Sequence, residues 1–149
     1  MKYKKYFIVL LTSLLAVFFD QLTKTLIRHN LGLNESVPLG NILHLSYITN
    51  TGSAFGLFKG ANQFFIVIDF IAILLILYFI KETKDGNLAY MSFGMLLGGT
   101  IGNLIDRIIY GHVIDFIDFR FWPVFNVADS AVTIGVILLL LIIILWEKK

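Results

Sequence analysis

The sequence contains no cysteine and few charged residues. The absence of cysteine from its 149 residues excludes disulfides, a thiolate nucleophile and sulfur ligands for a metal. Charged residues make up 15% of the chain and hydrophobic residues 58%. An ordinary soluble domain has about 25% charged residues. The net charge of +2 is too small to indicate binding to nucleic acid. A chain this short and this apolar is typical of one domain that resides in a membrane.

Four apolar stretches predict four transmembrane helices. They cover about residues 6–27, 61–80, 88–106 and 128–146. Each is close to the roughly 20 residues that an α-helix needs to cross about 30 Å of hydrocarbon. Phe18, Phe19 and Asp20 stand where a cleavable N-terminal signal would have small residues. We therefore expect a retained first helix and a single integral-membrane domain over residues 1–149.

The placement of lysine and arginine predicts that both termini are cytoplasmic. The side that holds the termini and the 81–87 turn would carry seven basic residues, Lys2, Lys4, Lys5, Lys81, Lys84, Lys148 and Lys149. The other side would carry five, Lys24, Arg28, Lys59, Arg107 and Arg120. Because basic residues are enriched on the cytoplasmic side, residues 28–60 and 107–128 should face outward.

The two outward connections have the composition of strands. "ILHLSYIT" and "HVIDFIDFRFW" are rich in β-branched and aromatic residues. "NTGSAFG", residues 50–56, is typical of a turn, because Asn50 and Gly52 tolerate positive φ. The predicted fold is membrane α-helical, with four transmembrane helices and a small extracytoplasmic β-rich cap.

The third helix carries a glycine stripe and a polar end. Gly94, Gly98 and Gly102 recur every four residues, which favours close helix packing over a ligand passage. Asn103, Asp106 and Arg107 follow at i, i+3 and i+4, so they share one face. We interpret Asp106 and Arg107 as a structural ion pair, with direct chemistry as the alternative.

The fourth helix begins with a polar stripe that enters the bilayer. Its members are spaced i, i+3, i+4 and i+7: Asn126, Asp129, Ser130 and Thr133. Asn126 or Asp129 alone could cap the helix. A stripe that continues inward instead indicates function at Asp129, because ionisable groups are costly inside membranes.

Other acids and the histidines have simpler interpretations. Asp20 and Lys24, at i and i+4, are expected to form an ion pair at the membrane interface, whereas Asp69 has no evident partner. Asp115 and Asp118 would point to opposite faces of a strand but share a face of a helix. We expect one of these two in a site and the other in solvent. The histidines are expected at surfaces or interfaces: His29, His44 and His112.

Carboxylates with these neighbours suit more than one chemistry. Two acids in a water-poor cleft can share one proton, so that one activates water and the other assists the carbonyl or the leaving nitrogen. Carboxylates and asparagine could instead hold Mg²⁺, as in a metal-dependent lipid-phosphate enzyme. A carboxylate-relay transporter is a third possibility, although such proteins usually show repeats or helices broken at midplane.

Five short motifs, in order along nearly the whole chain, resemble the signature of signal peptidase II, the lipoprotein signal peptidase family. They are "DQLTK" (20–24), "NTGSAF" (50–55), "GNLIDR" (102–107), "VIDF" (113–116) and "FNVAD" (125–129). Ser53 departs from the family, which often has alanine there. The resemblance implies a bacterial aspartic peptidase of the cytoplasmic membrane. Such an enzyme cleaves diacylglyceryl-modified prolipoproteins at the outer face, on the N-terminal side of the lipidated cysteine.

The resemblance also implies roles for individual residues. It places the catalytic pair on Asp115 and Asp129, which the local pattern alone leaves open. It implies substrate-binding or supporting roles for Asp20, Lys24, Asn50, Gly52, Asn103, Asp106, Arg107 and Asn126. We expect no metal or other cofactor and no nucleic-acid partner. Prolipoproteins and membrane lipids are the expected partners of a monomeric enzyme.

Overall fold

The fold is known from a computed structural model that describes residues 2–52, 60–83 and 86–146. Its elements, in chain order, are α1 (Lys2–Asn30), β1 (Ser36–Pro38), β2 (His44–Asn50), α2 (Asn62–Glu82), α3 (Asn87–Tyr110), β3 (Val113–Asp118) and α4 (Val127–Trp146). Within these residues four helices are long and apolar enough to cross a membrane. The three strands form a small antiparallel sheet. The predicted fold class is confirmed.

Some residues used in the sequence analysis lie outside the described residues. They are Ser53 and four of the counted lysines, Lys59, Lys84, Lys148 and Lys149.

The glycines of α3 let its backbone approach two neighbouring helices. A Cβ on Gly98 would lie 2.6 Å from the Ser13 carbonyl oxygen of α1, and one on Gly94 would lie 2.8 Å from the Val9 carbonyl oxygen. On the opposite side, a Cβ on Gly99 would lie 2.5 Å from the Ala128 carbonyl oxygen of α4. No side chain fits at such distances, so the interpretation of the glycine stripe as a packing surface is confirmed.

The end of α3 turns the chain directly into β3. Gly111 adopts a left-handed conformation (φ 75°) that suits glycine, and its N–H donates to the Arg107 carbonyl at 3.2 Å. The Ile114 N–H then donates to Asp106 Oδ2 at 3.1 Å. The polar end of α3 is therefore fastened to the strand that carries Asp115.

The sheet places β3 between β2 and the start of α4. In the antiparallel pairing of β2 with β3, Ile48 is opposite Asp115 and Asn50 is opposite Val113. On the other side of β3, an isolated bridge joins Ile117 to Phe125, which immediately precedes Asn126. The end of β2, the middle of β3 and the N-terminus of α4 consequently meet at one place.

Candidate active site

Asp115 and Asp129 line the same cavity, which has a volume of about 720 Å³. Asp115 comes from β3 and Asp129 from the first turn of α4. The rest of the wall combines polar groups with apolar side chains from α2, α4 and the segment before α4, among them Asn50, Gly52, Asp69, Asn103, Arg107, Phe65, Ala72, Trp122, Phe125, Val132 and Ile134. The cavity can therefore bind a largely apolar ligand next to the carboxyl groups of Asp115 and Asp129.

Asn126 connects the two acids. Its Nδ2 donates to Asp115 Oδ1 at 2.7 Å, and its Oδ1 accepts from the Asp129 backbone N–H at 2.8 Å. In return, the Asn126 backbone N–H donates to Asp129 Oδ2 at 3.3 Å. This reciprocal arrangement is that of a capping box, so both residues that the sequence suggested as caps take part. Asn126 is 0% exposed, and the hydrogen bonds of its side-chain amide fix its orientation.

The second oxygen of Asp115 is bonded from the end of β2. Asn50 Nδ2 donates to Asp115 Oδ2 at 2.9 Å. The orientation of the Asn50 amide is set by the Gly52 N–H, which donates to Asn50 Oδ1 at 2.9 Å. Gly52 therefore acts on the site through Asn50, and both carboxylate oxygens of Asp115 accept a hydrogen bond from an amide.

The Asp115 carboxyl is poised to hold a proton near neutral pH. Burial in a site where it is 3% exposed, together with the nearby charge of Asp129, raises the pKa of Asp115 to about 7. The hydrogen bonds from Asn50 and Asn126 and the more distant charge of Lys24 oppose this increase without cancelling it.

Lys24 is the centre of a buried polar network beside the acids. Its Nζ lies 2.8 Å from Asp20 Oδ2 and 3.0 Å from Asp106 Oδ2. It also donates to Asn103 Oδ1 at 3.0 Å, and Asn103 Nδ2 donates to Asp129 Oδ1 at 2.8 Å. The predicted Asp20–Lys24 pair exists, but the two side chains are only 0% and 2% exposed. They are buried inside the protein and form part of a larger network, so the pair is not a simple pair on the protein surface.

The two carboxylates of this network hold the elements that carry the catalytic candidates. Asp20 Oδ1 accepts from the Ala128 N–H at the start of α4 at 2.9 Å. Asp106 accepts from the Ile114 N–H of β3, as described above. Gln21 contributes a group that the sequence interpretation missed, since its Nε2 donates to both Asp20 and Asp106 at 3.1 and 3.0 Å. The sequence feature that could have indicated this role is a second polar residue, next to Asp20, in an otherwise apolar helix.

The predicted Asp106–Arg107 pair is wrong. Arg107 Nη1 lies 2.6 Å from Asp69 Oδ2 of α2, whereas Asp106 pairs with Lys24 of α1. Adjacent residues of an α-helix point about 100° apart, so they reach different neighbours and do not face each other. Asp69, which had no evident partner in the sequence, therefore has one.

Asp118 lies apart from the cavity and is also not in solvent. Its Oδ2 accepts from Ser46 Oγ at 2.7 Å, and its Oδ1 accepts from the Arg120 N–H at 2.8 Å. Burial alone would raise the pKa of Asp118, but these hydrogen bonds and the charges of Arg120 and His44 hold it below the usual value. The expectation of a solvent-facing acid is corrected: Asp118 is 6% exposed and stabilises the sheet.

The histidines lie apart from the two acids. His29 is exposed, while His44 and His112 are half-buried, and the cavity wall as described includes none of the three. Among the residues that the structure describes, no group of three or more His, Cys, Asp or Glu side chains is placed to hold a metal ion. The described acids instead use asparagine amides, backbone N–H groups and the cations Lys24, Arg107 and Arg120 as partners.

Four membrane-length helices and a cavity lined by one buried acid, Asp115, and one half-buried acid, Asp129, define an integral membrane protein with a candidate acid–base site. A sequence profile of the family described as "Signal peptidase (SPase) II" matches residues 12–145. The chain therefore belongs to the signal peptidase II family, and it is a protease that cleaves signal peptides from prolipoproteins. The resemblance seen in the five motifs is confirmed, and a lipid-phosphate enzyme or a transporter is not favoured.

Individual relatives agree over almost the whole chain. The lipoprotein signal peptidase of Halothermothrix orenii is 41% identical over 95% of this chain and 97% of that protein. The lipoprotein signal peptidase of Moorella thermoacetica is 46% identical over 87% of this chain and 88% of that protein. A bacterial membrane enzyme solved by the in meso method at 2.3 Å is 34% identical, with a TM-score of 0.87, and the match covers 95% of this chain and 89% of that one. The chain is thus a multi-pass protein of the bacterial inner membrane.

Proposed function

We propose that this signal peptidase is of the aspartic type and that Asp115 and Asp129 are its catalytic pair. The observation that carries the proposal is that two carboxylates from separate elements line one cavity and are joined through Asn126. Like charges at close range cannot both ionise cheaply, so such a pair holds one proton between them. The raised pKa of Asp115 supports this arrangement.

The two acids have different starting states. Asp115, whose pKa is about 7, begins with the proton. Asp129 begins as a carboxylate, because it lies in the first turn of α4, where the partial positive charge of the helix N-terminus favours an anion. Asn103 Nδ2 and the Asn126 N–H donate to its two oxygens and hold it in that form.

The reaction follows from these states. Asp129 takes a proton from a water molecule, whose oxygen forms a bond to the scissile carbonyl carbon, while Asp115 gives its proton to the carbonyl oxygen. The resulting tetrahedral diol then loses a hydroxyl proton to Asp115, and Asp129 passes its proton to the leaving nitrogen. The C–N bond breaks to give a carboxylic acid and an amine. The pair returns to its starting protonation.

The supporting residues divide into two groups by what they contact. Asn50, Asn103 and Asn126 bond directly to the acids, and Gly52 orients Asn50. The network of Asp20, Lys24 and Asp106 holds β3 and α4 in place.

The site's place in the fold supports a proposal for the substrate and its position. The cavity lies where α3 and α4 meet the strands, at the end of the bundle and not at its middle. A prolipoprotein whose cysteine carries a diacylglyceryl group keeps its scissile bond near the membrane surface, because the acyl chains stay in the bilayer. We therefore propose that this end faces outward, that both termini are cytoplasmic, and that the enzyme acts as a single-domain monomer next to the lipidated cysteine.

The proposed function is tested with purified enzyme and two forms of one precursor, diacylglyceryl-modified and unmodified. We expect cleavage of the modified precursor alone, with the new N-terminus at the lipidated cysteine. Activity should persist in excess chelator, because an acid pair needs no metal. Loss of cleavage on chelation, restored by Mg²⁺ or Zn²⁺, would contradict the aspartic mechanism.

A further inference from the structure

The proposed chemistry leaves one ion pair of the cavity wall without a role. Arg107 Nη1 and Asp69 Oδ2 are 2.6 Å apart, and their side chains are only 12% and 14% exposed. Both residues line the cavity together with Asp115 and Asp129. A cation and its counter-ion therefore stand beside the two acids.

Arg107 is held by one face of α2. Asn62 Nδ2 donates to the Arg107 backbone carbonyl at 3.1 Å, the guanidinium lies 5.3 Å from the centre of the Phe65 ring, and Asp69 binds Nη1. Asn62, Phe65 and Asp69 are spaced i, i+3 and i+7, which places them on the same side of a helix. Asp69 supplies the charge in this contact, and the other two position the backbone and the guanidinium.

The two cations that flank the acids are compensated differently. Among the described residues, the charged groups around the Asp115–Asp129 pair come from α1, α2 and α3, and they are Asp20, Lys24, Asp69, Asp106 and Arg107. Two carboxylates enclose Lys24, at 2.8 and 3.0 Å. A single carboxylate, Asp69, balances Arg107. An unbalanced cation in a cavity of low dielectric would favour ionisation of both acids.

We propose that Asp69 is a positioning residue for the peptidase reaction, which fixes Arg107 and cancels its charge so that the Asp115–Asp129 pair keeps its one proton. Asp69 acts through Arg107 and touches no reacting atom. This inference rests on the proposed function of the pair. It gives a role to an acid that lies outside the five sequence motifs.

The test measures kcat/KM for the lipidated precursor from pH 5 to 9, with purified, folded enzyme. On the alkaline side, the rate falls as the pair loses its proton. Asp69→Asn has the same shape without the charge, so we expect this limb to move to lower pH by roughly one unit, the size expected for a unit charge acting across a cavity. Relative to the same enzyme's rate at low pH, the rate at a fixed pH on the limb should then be about tenfold lower than in the parental enzyme.

Asp69→Glu is the matched control, because it disturbs the packing but keeps the charge. We expect its alkaline limb near the parental position, whatever happens to the overall rate. A merely structural role for Asp69 predicts lower rates at every pH for both variants, with the limbs unmoved. That outcome would overturn the proposal, as would a folded Asp69→Asn enzyme that is inactive at all pH values.

If Asp69→Asn does not fold, Arg107→Gln tests whether the charges of this ion pair set the position of the alkaline limb. It leaves the Asp69 carboxylate facing the acids without its cation, so the alkaline limb should move to higher pH, opposite to the effect of Asp69→Asn. A limb that stays in place or moves to lower pH would refute the proposal. Asp115→Asn is measured alongside. If it remains active, the proposed catalytic pair is wrong; if it is inactive while the limbs stay unmoved, only the role of Asp69 is wrong.

Discussion

Asn126 and Asp129 bond to each other twice, once in each direction. The Asp129 N–H donates to Asn126 Oδ1 at 2.8 Å, and the Asn126 N–H donates to Asp129 Oδ2 at 3.3 Å. Asp129 is therefore both a cap of α4 and one of the two proposed catalytic acids. Replacement by alanine would remove both functions together. Replacement by asparagine keeps one oxygen that can accept the capping hydrogen bond and gives up only the bond to Asn103 Nδ2, so it is the milder test of the chemistry.

Asp115→Asn and Asp129→Asn should each lower the cleavage rate by about a thousandfold or more, because asparagine can neither ionise nor deliver a carboxylic proton. The double variant should be hardly worse than either single one, since the acids act as a unit. Asp118→Asn is the control and should keep much of the activity, because Asp118 bonds to Ser46 and Arg120 and not to the pair. The measurement is turnover of lipidated precursor by folded variants. Near-parental cleavage by Asp115→Asn would rule out the pair.

The stability of the enzyme should depend on the ionisation of Asp115. Its pKa is raised to about 7 in the folded protein, mainly by burial, against about 3.9 in an unfolded chain. The protonated group therefore contributes stability that is fully present below about pH 4 and is lost as the pH rises through 7. The loss is up to about 4 kcal/mol, since one unit of pKa corresponds to about 1.4 kcal/mol.

Asp115→Asn removes this dependence, because asparagine does not ionise. Relative to the parental enzyme, the variant should melt at a higher temperature at pH 8 and show no such advantage at pH 4. Thermal melts of both proteins across this range provide the check. A melting difference that is the same at every pH would show that the ionisation of Asp115 does not affect folding.

The sequence predicted the features that depend on local pattern. The four helices follow from apolar length, and the packing of Gly94 and Gly98 follows from their four-residue spacing. The strands followed from β-branched and aromatic composition, and β2 and β3 lie where that composition placed them. Each of these properties is a consequence of neighbouring residues, so one sequence suffices to reveal it.

Ion-pair partners could not be predicted in the same way, because they depend on which helices become neighbours. Lys24 has a partner one turn away, Asp20, which the sequence suggested, and a second partner on α3, Asp106, which it did not. Arg107 pairs with Asp69, which is 38 residues earlier in the chain. The local pattern likewise left Asp115 and Asp118 as alternatives, and the family resemblance is what placed the proposed pair on Asp115. In the structure Asp115 is the acid that accepts from Asn126, a contact that depends on which side of β3 faces α4.

Lys24→Met should destabilise the protein severely. The change leaves Asp20 and Asp106 buried without their cation, at 0% and 1% exposed. Breaking a buried ion pair by removing one partner costs about 3–5 kcal/mol. The melting temperature and the yield of folded protein should both fall. Lys81→Met is the matched control, because Lys81 is exposed and should tolerate the change. Equal melting temperatures for the two variants would contradict the structural role of Lys24.

Gly98→Ala should loosen the packing of α3 against α1. The added methyl group would meet the Ser13 carbonyl oxygen at 2.6 Å and Ala16 Cβ at 2.7 Å, and a backbone atom cannot move aside as a side-chain tip can. Overpacking of this kind costs about 1–3 kcal/mol. Gly40→Ala is the control, since no atom lies within 4 Å of the added Cβ and the melting temperature should stay unchanged. Equal melting temperatures for the two variants would show that α3 can move away from α1 without loss of stability.

Both termini are predicted to be cytoplasmic, and the absence of cysteine makes this simple to test. The N-terminal end of α1 and the C-terminal end of α2 lie together, because Lys5 Nζ donates to the carbonyls of Lys81 and Thr83 at 3.0 and 2.9 Å. A label at the end of α2 therefore also reports on the side of the membrane that holds the N-terminal end of α1.

Two single-cysteine variants carry the label at exposed positions, Glu82→Cys near the predicted cytoplasmic end and Asn41→Cys between β1 and β2. In intact cells an impermeant maleimide should modify Asn41→Cys, whereas Glu82→Cys should react only after the membrane is opened. The parental chain provides a background without label, since it has no thiol. The reverse pattern would place the cavity on the cytoplasmic side. The positive-inside rule assumes that the excess of lysine and arginine sets the orientation. The reverse pattern would mean that the modest excess in this chain does not do so.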